Sequence, residues 1–255
     1  MSTLMTEEHT DLQKLMMNKD TIIIGSRSCT VRYATAPQYL LIQPTSEHEL
    51  EHLDNEVENI KSITDTPFVF AAFEITDWNK ELSPWSAPPV FGKEPFGSGA
   101  VETLNYLENE LIHEIIRQYS LNEDILVILG GYSLAGLFAL WSAYTSDRFA
   151  AVAGVSPSAW FPGWLDFITK RSPAVKSIYL SLGRKEEKAR NRAMAAVGDN
   201  IRRQHEMLRA MNLNVTLEWN SGNHFTEPEI RTAKGFAWCI NNLTKEDDTC
   251  TISKP

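Results

Sequence analysis

Ser133 is the residue of this chain whose neighbours best fit it for nucleophilic chemistry. It lies in Gly130-Gly131-Tyr132-Ser133-Leu134-Ala135-Gly136, directly after the apolar run Ile125 to Leu129 and directly before a segment, Leu134 to Tyr144, that reads as a helix. A serine on a tight strand-to-helix turn, with small residues two positions to either side, presents its hydroxyl at the top of a sheet. The small positions here are Gly131 and Ala135, so the pattern is G-x-S-x-A in place of G-x-S-x-G, and a methyl group is still small. At the start of a helix the dipole favours developing negative charge, and the Leu134 amide is aimed to donate to an oxyanion. The competing reading is a plain strand–turn–helix in which Ser133 is only an N-cap.

A serine hydroxyl needs a base beside it. Of the six histidines, His9 lies in the polar start, His52, His113 and His205 lie in expected helices, and His48 follows an early strand. Where a nucleophile elbow sits in an α/β sheet, the acid and then the histidine follow the serine in the chain. Only His205 and His224 follow Ser133, and only His224 falls in a loop, Asn220-Ser221-Gly222-Asn223-His224-Phe225, after an expected strand. Taken alone it could be a turn histidine with a local hydrogen bond. The acid is expected at the end of the strand between them, Ser177 to Leu182, which runs into Gly183-Arg184-Lys185-Glu186-Glu187. Glu186 is the favoured carboxylate and Glu187 the fallback; a Ser–His dyad, with RKEEK a solvated charge run, is the alternative. A carboxylate here would orient the imidazole and stabilise its charged form.

The elements that must hold these residues follow a regular alternation. Thr21 to Gly25 and Cys29 to Tyr33 read as a hairpin. Strands are then expected at Tyr39 to Gln43, Phe68 to Ile75, Ile125 to Leu129, Ala150 to Val155, Ser177 to Leu182 and Val215 to Trp219. Between them, Leu50, Leu53, Val57 and Ile60, then Leu104, Leu107, Leu111 and Ile115, then Val197, Ile201, Leu208 and Met211 recur at helical spacing. A final helix is expected over Glu227 to Asn241, and a long proline-bearing loop contains Pro84, Pro88, Pro89 and Pro95. Strands alternating with helices predict a mostly parallel central sheet with helices on both faces and antiparallel strands at its N-terminal edge. Continuous apolar strands predict burial on both sides. The expected organisation is a polar segment over 1–20, one α/β domain over 21–243, and a polar, frayed tail over 244–255.

Bulk properties narrow the partners. The 255 residues are 43% hydrophobic and 22% charged, with a formal net charge of -9. An acidic surface repels phosphate backbones, so no nucleic-acid partner is expected. Cys29, Cys239 and Cys250 make no close pair, which argues against a disulfide framework and against a zinc site. The start lacks a basic stretch followed by an apolar one, and no apolar run reaches the roughly 18 residues that span a bilayer. The expectation is a cytoplasmic protein with no membrane partner.

Together, GGYSLAG, SLGRKEE and SGNHF, in that order, resemble the esterase group of the α/β-hydrolases, which includes esterase D-like and siderophore trilactone esterase enzymes. The resemblance runs from about Tyr39 to Trp238, and the stretch Asp77 to Trp85 (DWNKELSPW) is similar to that group's loop after the fourth strand. It implies an α/β-hydrolase fold, ester hydrolysis through an acyl-serine intermediate, no cofactor, and by motif position Ser133, Glu186 and His224. One departure concerns the second oxyanion donor. Relatives often carry Asp-Gly after the third strand, whereas this chain reads Ile42-Gln43-Pro44-Thr45-Ser46. Proline has no amide hydrogen, which leaves the Thr45 amide as the expected donor beside Leu134.

The substrate side is less determined. Trp160, Phe161, Trp164 and Phe167, with Trp78 and Trp85, either wall an acyl or aryl pocket or simply cover the sheet. Arg184 and Lys185 either attract an anion or are solvated. Carboxylic ester hydrolysis on a small-molecule substrate is the leading expectation. Acyl transfer, or thioester or peptide hydrolysis, would use the same machinery. A non-catalytic binding protein on the same fold draws its support from Ala135 and the unusual oxyanion segment.

Overall fold

The computed structural model describes residues 17–251. Its centre is one eight-stranded sheet in the order β1-β2-β4-β3-β5-β6-β7-β8. β1 (Asn18–Ile24) and β2 (Arg27–Tyr33) form an antiparallel hairpin with Ile24 opposite Arg27, so the turn is Gly25 and Ser26 and the second strand begins two residues before the expected Cys29. β2 joins β4 (Phe68–Glu74) antiparallel. From there β3 (Tyr39–Thr45), β5 (Leu126–Tyr132), β6 (Ala151–Val155), β7 (Ser177–Gly183) and β8 (Asn214–Asn220) pair in parallel. The parallel strands therefore release their loops at one edge.

The apolar runs are split between two cores by the two-residue period of a strand. Leu40, Ile42, Val69, Ala71, Phe73, Val127 and Leu129 face one layer, while Tyr39, Leu41, Phe68, Phe70, Ala72 and Ile128 face the other. On the first side lie α3 (Ala100–Tyr106), a π-helical turn (Leu107–Leu111), α4 (Ile112–Gln118), α5 (Leu134–Ala143), α6 (Trp164–Thr169) and α8 (Val197–Ala210). On the second lie α1 (Leu53–Ile63) and α9 (Pro228–Thr251). All of α5 is buried. Its sequence, LAGLFALWSA, has no polar stripe, which is what a helix enclosed on every side requires.

Short elements that periodicity could not reveal fill the connections. α2 (Trp78–Glu81) is a single turn capped by the Asp77 side chain on the Lys80 amide. α7 (Arg192–Ala195) is capped by Asn191, and the chain turns once in 3-10 geometry at Glu47–His52 and Glu186–Lys188. The proline-rich loop is pinched by an antiparallel bridge between Ala87 and Phe96. α9 continues past Leu243, where the tail was expected to begin. Residues 1–16 and 252–255, within the expected N-terminal segment and tail, lie outside the described residues. Cys29 and Cys239 are buried free thiols. Among the described residues no helix is long and apolar enough to cross a membrane.

Candidate active site

Ser133 links β5 to α5 with φ 59° and ψ -119°. A non-glycine residue at such angles is strained by about 1–3 kcal/mol, and the surrounding structure must hold it there. The Ser133 amide donates to the Val155 carbonyl (3.0 Å), and the Ser133 carbonyl accepts from the amides of Leu137 and Ser158 (3.0 Å each). The turn closes because Gly131 has no side chain: a Cβ there would sit 2.7 Å from the Ala135 backbone carbon and from the Ala135 methyl. That same distance explains why position 135 is small. As the first residue of α5, Leu134 has no intrahelical acceptor for its amide, and it lines the cavity beside Ser133.

His224 approaches from the loop after β8. Its Nε2 lies 3.0 Å from Ser133 Oγ and its Nδ1 lies 2.7 Å from Glu186 Oε2. A carboxylate facing Nδ1 keeps the proton on that nitrogen, which leaves Nε2 free to accept the serine proton. Glu186 is almost enclosed, its side chain 5% exposed. Its Oε1 accepts from the Gly183 amide (2.7 Å), the Ser156 hydroxyl (2.8 Å) and Arg231 Nη1 (3.3 Å). Gly183 makes room for it, since a Cβ there would meet Glu186 Oε1 and the Gly222 carbonyl at 2.9 Å. Glu187 points elsewhere and pairs with Arg202 (2.6 Å).

The residue that ties this half of the site together is Arg231, from the first turns of α9, and sequence reasoning missed it. Its side chain is only 2% exposed. Besides Glu186, it donates to the Tyr132 hydroxyl (3.1 Å), the Ser156 hydroxyl (3.4 Å) and the Ser221 carbonyl (2.6 Å). Tyr132 in turn donates to the His224 carbonyl (2.7 Å). Burial pushes the Tyr132 phenol up from its ordinary value, so it stays a neutral donor. Its place one residue before Ser133 was legible; the Arg231 contact depends on how α9 packs under β7, which no local pattern encodes.

These residues open into a cavity of about 480 Å³. Its aromatic wall is Trp78, Phe91, Phe96 and Trp160, and Met194, Val197 and Phe225 complete the apolar lining. Phe91, Phe96 and Trp160 pack on one another with ring centres 5.9–6.1 Å apart. Asn79, Ser158, Lys185 and Asn223 supply polar groups. Of the aromatic residues singled out in the sequence, Trp78 and Trp160 line this cavity. Phe161 and Trp164 are buried, Trp85 packs on Phe161 and Phe167, and this cluster covers the sheet. Thr45 ends β3, wholly buried, with its carbonyl accepting from the Ile75 amide (2.8 Å), and it is not part of the cavity lining. On that side the wall comes from Trp78 and Asn79, in the loop after β4. Among the described residues no group of His, Cys, Asp and Glu side chains is arranged to hold a metal ion.

Residues 71–224 match the family model described as "Putative esterase". Among solved structures, an IroE-like serine hydrolase from Shewanella oneidensis superposes with a TM-score of 0.72 at 15% identity, over 88% of this chain and 79% of that one. The siderophore hydrolase EstA from Aspergillus nidulans gives 0.67 at 17% identity, over 89% of this chain and 94% of that one. The enterobactin esterase FES from Shigella flexneri gives 0.63 at 14% identity, over 90% of this chain but 60% of its own. At these identities the likeness is one of fold. No curated protein matches the chain in sequence.

Proposed function

Because this chain belongs to the esterase family and is a carboxylic ester hydrolase with the α/β-hydrolase fold, we infer that it works through an acyl-serine intermediate on Ser133. His224 is the base and Glu186 the orienting acid. The observation that carries this reading is the unbroken chain from Ser133 Oγ to His224 Nε2 (3.0 Å) and from His224 Nδ1 to Glu186 Oε2 (2.7 Å).

The steps follow from the chemistry of such a chain. A small-molecule ester enters the cavity with its carbonyl carbon beside Ser133. His224 takes the hydroxyl proton as Oγ attacks, and Glu186 stabilises the imidazolium. The oxyanion is received by the Leu134 amide at the head of α5. The second donor comes from the Trp78–Asn79 turn, which lines the cavity where Thr45 does not. His224 then gives its proton to the leaving alcohol, and water, activated by the same imidazole, releases the acid. The apolar and aromatic lining supports an uncharged acyl group.

Acyl transfer would use the same residues, and competing alcohols in the assay separate it from hydrolysis. The test of the main reading is turnover of p-nitrophenyl acetate and butyrate by the wild type, Ser133→Ala and His224→Ala, with folding checked by circular dichroism. Loss of turnover in both folded variants supports it; undiminished turnover in either one contradicts it.

A further inference from the structure

The cations of a basic strip beside the cavity take no part in that chemistry. Residues 184–192 read RKEEKARNR, and Arg184, Lys185, Lys188, Arg190 and Arg192 are all exposed. Both acids within the strip are engaged, Glu186 by His224 and Arg231, and Glu187 by Arg202. Among the described residues none of the strip's exposed cations is held in an ion pair within 4.0 Å. In a chain with a formal net charge of -9, carboxylates are in surplus, and a run of unpaired cations that enters the site's lining at Lys185 is a local reversal of sign.

The backbone fixes where this strip lies. The Arg184 amide donates to the Asn220 carbonyl (2.9 Å) and the Lys185 amide to the Gly222 carbonyl (3.0 Å). The strip is thus laced to the loop that carries His224. Lys185 lines the active cavity together with Asn223, His224 and Phe225. Arg184 and Lys188 line a second cavity of about 390 Å³, with Arg202 and Trp219, and the turn Glu186–Lys188 contributes to both walls. His224 is the group that returns the proton to the departing alcohol, so its side of the cavity is the side of the alcohol half of the ester. The acyl half then lies against the Trp78, Phe96 and Trp160 wall.

We propose that the substrate is an ester whose alcohol half carries a negative charge, received at the mouth by Lys185 with Arg184 and Lys188, and whose acyl half is uncharged. This rests on the Ser133–His224 reading above. The bond broken is the one between the acyl carbon and the alcohol oxygen. The serine proton passes through His224 to that oxygen, the anionic alcohol leaves, and water later releases the acid. The strip acts before chemistry: exposed cations attract an anion over about 10 Å at 0.1 M salt and less as salt rises, and a field focused at a cleft raises encounter rates by about tenfold or more.

The test compares two butyrate esters of equal size, of 4-hydroxybenzoate (anionic) and of 4-hydroxybenzamide (neutral). The readout is the ratio of their kcat/KM values, in wild type and in the combined variant Arg184→Glu, Lys185→Glu, Lys188→Glu, at about 0.02 and about 0.5 M salt. The wild type is expected to favour the anionic ester by about tenfold at low salt, to lose that preference at high salt, and to have it reversed in the variant. A wild-type ratio near unity at both salts, or a preference untouched by charge reversal, overturns the proposal while turnover of the benzamide ester leaves the serine mechanism standing. Turnover of neither ester by the wild type removes that mechanism and the proposal with it.

Discussion

The two halves of the site are held in place by different physics. The serine half is positioned by backbone sterics: a φ of 59° at Ser133 and a glycine at 131 whose missing Cβ lets Ala135 approach. The acid–base half is positioned by side-chain hydrogen bonds drawn from β5, the loops after β6, β7 and β8, and α9, meeting at Arg231 and Glu186. Sterics within seven consecutive residues leave a local signature. A network assembled from distant segments does not.

That difference explains what the sequence could reveal. GGYSLAG was readable because close approach demands small residues at fixed offsets, and the strand and helix around it were readable from periodicity. Of the two adjacent glutamates, Glu186 was separable from Glu187 only by its spacing from Gly183; what distinguishes them in three dimensions is that one meets Ser156 and Arg231 and the other Arg202. Thr45 was expected to donate because it follows Pro44, yet whether a strand end reaches the cavity depends on the neighbouring loop, and Trp78 and Asn79 occupy that wall. The Trp160 to Phe167 segment read as one aromatic group; it divides because Trp160 faces the cavity while Trp164 turns inward, its Nε1 donating to Gln204 (3.1 Å).

The contrast can be broken at its chemical centre first. Ser133→Ala is expected to lower kcat by about 10⁴-fold or more while the fold is retained, with His224→Ala close behind; steady-state kinetics on a p-nitrophenyl ester measure both. Gly131→Val attacks the steric half. It drives a side chain into Ala135, displaces Ser133, and is expected to cost roughly 10²-fold in kcat together with about 1–3 kcal/mol of stability, read by denaturant unfolding.

Arg231→Met attacks the network half. It leaves Glu186 buried without its cation, and breaking such a pair costs about 3–5 kcal/mol. Expected with it is a fall in kcat with KM little changed, since His224 loses its fixed orientation before substrate contacts are touched. Arg231→Lys should recover part of the stability but less of kcat, because a single ammonium cannot reach Tyr132, Glu186 and the Ser221 carbonyl together.

The smallest effect lies away from the site and serves as its control. Glu56 of α1 is buried against Gln43, and burial pushes its carboxyl up from 4.5 to about 8, opposed by the Gln43 hydrogen bond. The folded state therefore holds a proton that the unfolded chain releases from about pH 4.5 upward. Glu56 thus costs stability progressively between those two values, and the cost levels off above about 8. Glu56→Gln is expected to raise Tm by an amount that grows across that window, without altering kcat. A Tm gain independent of pH would contradict the burial argument.

The most direct test of the account is covalent. A fluorophosphonate should phosphonylate the wild type once, at Ser133, as located by mass spectrometry of the digested protein, and labelling should slow sharply in His224→Ala. An adduct on another residue, or esterase activity that survives complete labelling of Ser133, would contradict it.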